Sequence, residues 1–287
     1  MNRRAGAASA FVVIGLACQE IGAAAAVHLF PQVGPLGVVM LRLVFSALIL
    51  LLIARPRMRG YTRADWAAVV RFGVVLGVMN ALFYLALQRL PLGVTVTIEV
   101  LGPLVLSIVM SRRASAWGWA ALAFAGVLAL GGGGWDRLDL LGVLFALGAA
   151  ASWAFYILSS ARVGAVFPRL DGLAWAMAVA AVLSLPFGVA GAGSALLRVD
   201  LVALGAAVAL LSSTIPYALE LMALRRLPAS AFSILMSLAP ATAALAGLVL
   251  LGQRLSWIEV AGIAVVIAAS MGAVRSSARR TPIPPVS

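Results

Sequence analysis

Long runs of apolar residues, separated by short polar connections, dominate this chain of 287 residues. A transmembrane helix needs about 20 consecutive apolar residues, and ten runs reach or approach that length. They cover residues 7–27, 34–53, 66–88, 91–110, 116–132, 140–160, 172–190, 200–222, 229–250 and 257–274. Apolar residues are continuous within each run, which favours helices over the alternating strands of a membrane barrel. The pattern predicts an all-α polytopic membrane protein with ten transmembrane helices.

The two halves of the pattern are similar. Leu87–Pro91 corresponds to Leu224–Pro228, and Pro103 corresponds to Pro240, both at an offset of 137 residues. Five helices per half is an odd number, so the second half would cross the membrane in the opposite sense. We therefore predict two inverted five-helix repeats, residues 1–136 and 137–274, followed by a disordered cytoplasmic tail at 275–287. Inverted repeats around a central site are a transporter architecture.

The arginines predict the orientation of these helices. With the N-terminus inside, 15 arginines fall in connections on the cytoplasmic side and four on the opposite side. By the positive-inside rule, both termini are expected in the cytoplasm. The run at 7–27 also resembles a signal peptide. Its length and its place in the repeat favour a first transmembrane helix.

Composition excludes other classes of protein. Hydrophobic residues make up 64% of the chain and charged residues 10%, against about 25% charged in a soluble domain. The net charge of +12 would suit nucleic acid, but the arginines lie between apolar runs rather than along one face. We therefore expect contact with membrane lipid and no nucleic-acid partner.

The sequence offers little for enzyme chemistry. The single cysteine, Cys18, excludes an internal disulfide and a cysteine metal cluster. The glycines at Gly131–Gly134 lack the Lys-Ser/Thr of a phosphate loop, and no nucleophile stands beside a base. No enzyme activity, metal site or cofactor is predicted.

Charged residues inside the apolar runs are the candidates for function. Glu99 lies near the middle of the run at 91–110, where an ionised side chain costs several kcal/mol, about 3 or more, unless it is paired or protonated. Arg42 lies within the second run and is either its structural partner or a ligand for substrate. Pro216 is expected to kink the eighth helix. Serine and glycine stripes also suit simple helix packing.

Further polar and aromatic side chains recur at helical spacing. Together with Glu99 and Arg42, the candidate substrate-binding residues are Gln19, Asn80, Tyr84, Trp153, Tyr156 and Ser237. The candidate proton-coupling residues are Glu99, Glu20 and Glu220.

Several motifs resemble those of a known family. They are Leu41-Arg42-Leu43, Met79–Tyr84, Pro91-Leu92-Gly93, Glu99–Leu104, Ser111-Arg112-Arg113, Trp153–Ser159, Pro216–Glu220 and Leu235-Met236-Ser237. With the ten-helix inverted repeat, they resemble the EamA family of the drug/metabolite transporter superfamily, and particularly its threonine/homoserine exporters. The resemblance implies a proton-driven exporter of small amino acids in the bacterial inner membrane.

The chain also departs from the pattern of that family. Ala239 stands where an acidic residue is expected, Gln253 where Glu is frequent, and Val27 where a basic residue is expected. Glu20 is an addition. These departures bear on the substrate and leave the predicted fold unchanged.

The resulting hypothesis is alternating access between the two halves. An amino acid's ammonium would meet Glu99 and the aromatic faces of Tyr84, Trp153 or Tyr156, and its carboxylate would meet Asn80 or Arg42. Partners would be the substrate and protons, and the chain would be a monomer or weak homodimer. One alternative is a broader metabolite or drug exporter. A more distant one is a lipid-handling or structural membrane protein.

Overall fold

A computed structural model describes residues 3–111, 114–130, 139–224 and 229–278, and within these ranges every regular element is helical. The helices are α1 (Arg3–Val27), α2 (Phe30–Ala54), α3 (Arg63–Leu87), α4 (Leu92–Glu99), α5 (Leu101–Ser111), α6 (Ala114–Leu130), α7 (Leu140–Gly164), α8 (Asp171–Ala192), α9 (Val199–Ala209), α10 (Ile215–Leu224), α11 (Ala229–Met236), α12 (Ala239–Leu251) and α13 (Trp257–Ala278). A 3₁₀ turn (Gly193–Leu197) precedes α9, and a π-helical turn (Leu210–Thr214) joins α9 to α10.

Among the described residues, eight helical stretches are long and apolar enough to cross a membrane. The predicted all-helical, multi-pass architecture is therefore confirmed. The runs at 116–132 and 200–222 correspond to two shorter apolar stretches, Trp117–Leu130 and Val199–Thr214. The count of ten spans, the inverted sense of the halves and the cytoplasmic termini stay predictions.

Several sequence predictions fall outside the described residues. They concern the glycines at 131–134, the arginine pair at 112–113, the segment 225–228 and the tail from residue 279 onward. Helix α13 continues to Ala278, four residues into the segment predicted as a tail.

The outer surface is apolar while polar groups lie inside. Leu52 is 72% exposed, Leu197 84% and Trp257 88%. Glu20 and Asn80, in contrast, are buried. A water-soluble globule has the opposite distribution of its charged groups, so this surface suits contact with lipid.

Two apolar runs are broken near their centres. In the fourth, α4 ends at Glu99 and α5 begins at Leu101, while in the ninth α11 ends at Met236 and α12 begins at Ala239. Pro103 and Pro240 lie four residues beyond Glu99 and Met236 respectively, and proline has no N–H to donate to the carbonyl at that spacing. The breaks therefore have the same cause and are related by the 137-residue offset.

Small residues bring neighbouring helices into close contact. A Cβ atom added at Gly73 would lie 2.6 Å from the carbonyl oxygen of Ala176, and one at Gly102 would collide with the carbonyl oxygen of Ala150. The glycines of α3 and α5 thus permit the approach of α8 and α7. The packing interpretation of these glycines fits this geometry.

Side chains outside the core satisfy the first backbone N–H groups of three helices. Thr62 and Asp65 form a reciprocal capping box at the start of α3. Asp139 accepts from the N–H groups of Leu141 (2.9 Å) and Gly142 (3.2 Å) at the start of α7. The Gln253 side chain accepts from Leu92 N–H at 2.9 Å, so the connection after α12 caps α4.

Asp139 is also paired across the surface. Its Oδ2 lies 2.6 Å from Nη1 of Arg89, and both side chains are partly exposed. The hydrogen bond from Arg89, followed by that from the Gly142 N–H, holds the pKa of Asp139 below its ordinary value. This pair joins the end of α3 to the start of α7.

Gly102→Ala is expected to lower the thermal stability of the detergent-solubilised protein. The added methyl must displace the backbone of Ala150, and overpacking typically costs about 1–3 kcal/mol. Gly118→Ala is the matched control, because a Cβ there meets nothing within 4 Å. Equal melting temperatures for Gly102→Ala and wild type would contradict the close α5–α7 contact.

The Asp139 carboxylate is expected to stabilise the protein only when it is charged. Because its folded-state pKa is depressed, its contribution is present above the ordinary aspartate pKa of about 3.9 and is lost as pH falls through the folded value. Asp139→Asn retains a capping oxygen but not the charge. The difference in melting temperature between wild type and Asp139→Asn should be present at neutral pH and vanish in strong acid; a difference unchanged by acidification would refute this.

Candidate functional site

A cavity of about 140 Å³ lies between the two halves of the chain, next to the breaks after Glu99 and Met236. Helices α1, α2, α3, α4, α7, α11 and α12 and the π-helical turn contribute to its wall. The cavity brings together seven of the candidate residues: Gln19, Glu20, Arg42, Asn80, Glu99, Trp153 and Tyr156. These candidates come from five separate helices, so tertiary packing rather than sequence proximity creates the site.

Three other candidates are placed differently. Tyr84 is fully buried behind the cavity wall and contacts Arg42. Ser237 lines an adjacent cavity. The side chain of Glu220 lies outside the described part of the structure.

Arg42 is held by groups of the protein itself. Its Nε donates to Ser213 Oγ at 3.1 Å, its Nη2 to the carbonyl oxygen of Ser212 at 3.0 Å, and its Nη1 to Tyr84 Oη at 3.3 Å. Its Cζ lies 5.5 Å from the centroid of the Tyr84 ring, within cation–π range. A guanidinium has five N–H donors. Two of them are therefore left for a ligand in the cavity.

The local sequence explains why Arg42 is bound there. Pro216 lies four residues after Ser212 and cannot donate to its carbonyl. The chain widens into the π-helical turn, and Arg42 supplies the donor that proline lacks. The sequence predicts a kink at Pro216, and the structure has the π-helical turn just before it. Ser212 is not among the predicted residues, and its only signal in the sequence is this four-residue spacing.

The structural Arg42–Glu99 ion pair is not formed. No nitrogen of Arg42 lies within 4.0 Å of a carboxylate oxygen of Glu99 or Glu20; the ion pairs among the described residues are Arg89–Asp139 and Arg198–Asp200, both exposed. The guanidinium is instead directed to the π-helical turn. The Glu99 carboxyl therefore faces the cavity without a basic partner in contact.

Glu20 is the more deeply buried of the two acidic groups. Its side chain is 2% exposed, and its Oε2 has no hydrogen-bond partner among the described residues. A buried, unpartnered carboxylate is costly in its charged form. Glu20 therefore requires either a proton or a cationic ligand.

Asn80 provides a neutral polar group in the same wall. Its Nδ2 donates to the carbonyl oxygen of Leu76 at 2.9 Å, which fixes the orientation of the amide. The amide oxygen and one N–H remain for a ligand. Trp153, Tyr156 and Phe83 add aromatic surface.

The described lining thus carries two carboxyl groups, one guanidinium, one fixed amide and aromatic faces. Such a set complements a small zwitterion. Ala239 also lines the cavity, so its departure from the family pattern lies within the site itself. Among the described residues, no group of three or more His, Cys, Asp and Glu side chains could hold a metal ion.

Arg42→Lys is expected to destabilise the protein although it conserves the charge. The lysine ammonium lacks the planar, forked arrangement of guanidinium N–H groups, so it cannot donate hydrogen bonds to Ser212, Ser213 and Tyr84 at the same time. Hydrogen bonds to charged groups contribute about 1.5–3 kcal/mol each, so the melting temperature should fall by about 5–10 °C. Arg71→Lys, at an exposed arginine of α3, is the control. An unchanged melting temperature of Arg42→Lys would show that these contacts contribute nothing.

Similarity to known proteins agrees with the geometry. The model of the EamA-like transporter family matches residues 140–275. The threonine/homoserine exporter RhtA of Escherichia coli (strain K12) is 41% identical over 91% of this chain and 89% of its own length. The exporter of the same name in Salmonella typhimurium (strain LT2) is 39% identical over 95% of this chain and 92% of its own.

One solved crystal structure superposes with a TM-score of 0.67 at 18% identity, covering 96% of this chain and 98% of that one. At this identity the likeness shows a shared fold alone. The curated relatives are exporters and not enzymes. Similarity at this level over nearly the whole length shows that the chain, a multi-pass membrane protein, belongs to the EamA-like transporter family.

Proposed function

We propose that this protein exports small amino acids of the threonine/homoserine type across the bacterial inner membrane, by alternating access coupled to protons. The observation that carries the proposal is the small central cavity, which places acidic, basic, amide and aromatic groups around one space. The names of relatives at 39–41% identity support the same substrate class.

Recognition of the substrate follows from the charges of the wall. The ammonium group lies between Glu99 and Glu20, where it relieves the cost of an unpartnered buried carboxylate. The substrate carboxylate accepts the two N–H groups of Arg42 that the protein does not use. Asn80 adds a hydrogen bond, and Trp153 and Tyr156 border the side chain.

The size of the cavity favours a small substrate. Its volume of about 140 Å³ lies well below the roughly 300–1,000 Å³ of pockets that enclose drug-sized ligands. This difference argues against the broader drug exporter. The concentration of polar groups inside one enclosed space argues against a lipid-handling or purely structural role.

Alternating access requires two halves that can exchange conformations. The proposed halves are residues 1–136 and 137–274, with both termini in the cytoplasm and the second half inverted. Support comes from the matched helix breaks after Glu99 and Met236, which border the cavity at an offset of 137 residues. Because one chain encloses the cavity, a monomer suffices for this mechanism.

Proton coupling is assigned to Glu99, with Glu20 as its neighbour. Two carboxyl groups and one guanidinium cannot all be charged in an empty, poorly hydrated cavity without leaving an excess negative charge. When the cavity is empty, Glu99 holds a proton. When substrate binds, its carboxylate pairs with Arg42 and its ammonium pairs with Glu99, so Glu99 releases its proton while Glu20 stays protonated and the occupied site is neutral. Glu220 is not needed for this exchange.

Glu99→Gln is the test of this coupling. In proteoliposomes, threonine accumulation driven by a pH gradient should fall at least tenfold, since the amide cannot release a proton. Threonine–threonine counterflow, which requires no net proton movement, should persist with a weakened pH dependence. Glu259→Gln is the matched control, because Glu259 lies outside the cavity lining, is partly exposed and caps the start of α13.

Two outcomes would overturn the proposal. If Glu99→Gln exports threonine along a pH gradient at the wild-type rate and with unchanged pH dependence, Glu99 does not couple export to protons. If the wild type exports aromatic cations but neither threonine nor homoserine, its substrate class is that of the broader drug exporter.

A further inference from the structure

A second cavity, of about 350 Å³, adjoins the central one. We call it the serine chamber, since Ser233, Ser237 and Ser270 supply its hydroxyl groups. Trp153 and Met236 line both cavities and form the partition between them. None of the functions assigned above uses this space.

Ser270 places a buried, unpartnered hydroxyl in the wall of the chamber. Its side chain is 6% exposed, and within the described part of the chain its Oγ has no hydrogen-bond partner. Serines in membrane helices usually donate to a carbonyl of the preceding turn, as Ser237 does to Ser233 at 3.0 Å and Ser212 to Val208 at 2.6 Å. A buried hydroxyl without a partner is unfavourable, and a bound molecule or its water would satisfy it.

The chamber lies on the other side of the helix breaks from the central cavity. Within the fourth run, Val96 and Glu99 face the central cavity, while Pro103 and Leu104, beyond the break, face the chamber. Within the ninth run the order is reversed: Ser233 faces the chamber and Ala239 the central cavity. The predicted topology places the start of α11 and the end of α5 towards the cytoplasm. The chamber is then on the cytoplasmic side.

We propose that the serine chamber is a second binding site for the same amino-acid substrate, occupied before it passes the Trp153–Met236 partition. This inference rests on the proposed function. The described lining of the chamber carries hydroxyl groups and an indole but no charged side chain. With no counter-charge in the wall, the two charged ends of the zwitterion are solvated there by bound water and by the serine hydroxyl groups.

The two volumes suit successive steps of dehydration. The chamber has more than twice the volume of the central cavity, so it accommodates a substrate together with bridging waters. In the smaller central cavity, Glu99, Glu20 and Arg42 replace that water. Met236, with an unbranched flexible side chain, and the large Trp153 ring are suited to separate the two steps.

Cysteine labelling tests the site directly, since Cys18 is the single native cysteine. Full-length Ser270→Cys in a Cys18→Ser background is treated, in inside-out vesicles, with a membrane-impermeant cationic thiosulfonate. We expect labelling from the cytoplasmic face, slowed at least threefold by L-threonine. Protection should persist after Glu99→Gln is added, because the chamber does not include Glu99. Cys18→Ser alone should remain unlabelled.

The two proposals fail in different ways. If the Cys18→Ser parent exports threonine but threonine does not slow labelling of Ser270→Cys, or the cysteine is not labelled, the chamber is not a substrate site. If threonine slows labelling of Ser270→Cys but the Cys18→Ser parent exports no threonine, the proposed function fails while the chamber remains a binding site for threonine.

Ser270→Leu gives an independent readout if the cysteine variant folds poorly. Filling the chamber should raise the KM for threonine offered from the cytoplasmic face several-fold, while Ser270→Thr, which retains the hydroxyl, should restore it. Equal KM values in wild type and Ser270→Leu would overturn the proposal.

Discussion

The carbonyl oxygen of Ser212 is the constraint on which the centre of this structure depends. Pro216 removes its helical donor, and a backbone carbonyl without a donor inside a membrane is costly. Arg42 supplies the donor and thereby joins α2 to the π-helical turn, two segments separated by 170 residues. Arg42, a charged side chain in the apolar second run, thus donates a hydrogen bond to the backbone and can also bind a ligand.

This use of Arg42 determines the character of the cavity. Because the guanidinium binds the π-helical turn and Tyr84, it does not form an ion pair with either glutamate. In the part of the chain that the structure describes, the carboxyl groups of Glu20 and Glu99 consequently remain without a cationic partner in contact. An arginine that paired with Glu99 would satisfy that carboxylate and remove its own need for a proton or an ammonium group. The contacts of Arg42 that stabilise the π-helical turn therefore leave both carboxyl groups available to a proton or an ammonium group.

Much of the fold follows from local features of the sequence, whereas the contacts of the site do not. Continuous apolar runs predict membrane helices because lipid requires backbone hydrogen bonds within each segment. Helical spacing grouped Asn80 with Tyr84 on one side of α3, yet Asn80 lines the cavity and Tyr84 lies behind it. That distinction, like the partners of Arg42, depends on how α2 and the π-helical turn approach α3. Ser237 was assigned to the central site for its face of the helix, but it shares with Ser233, four residues earlier, the face that lines the adjacent chamber.

The two matched helix breaks are similar in backbone, but the side chains that they place in the cavity differ chemically. Glu99 and Met236 occupy equivalent positions at 137 residues' separation, and both line the central cavity. Pro103 and Pro240 produce the same interruption in each half, so the backbone on either side can rearrange in a related way. The carboxyl group occurs at only one of the two positions. In the proposed rocking motion of the two halves, the carboxyl group of Glu99 would therefore face the neutral thioether of Met236. The two directions of movement would differ in the partner of Glu99, which is a proton in one and the substrate ammonium in the other.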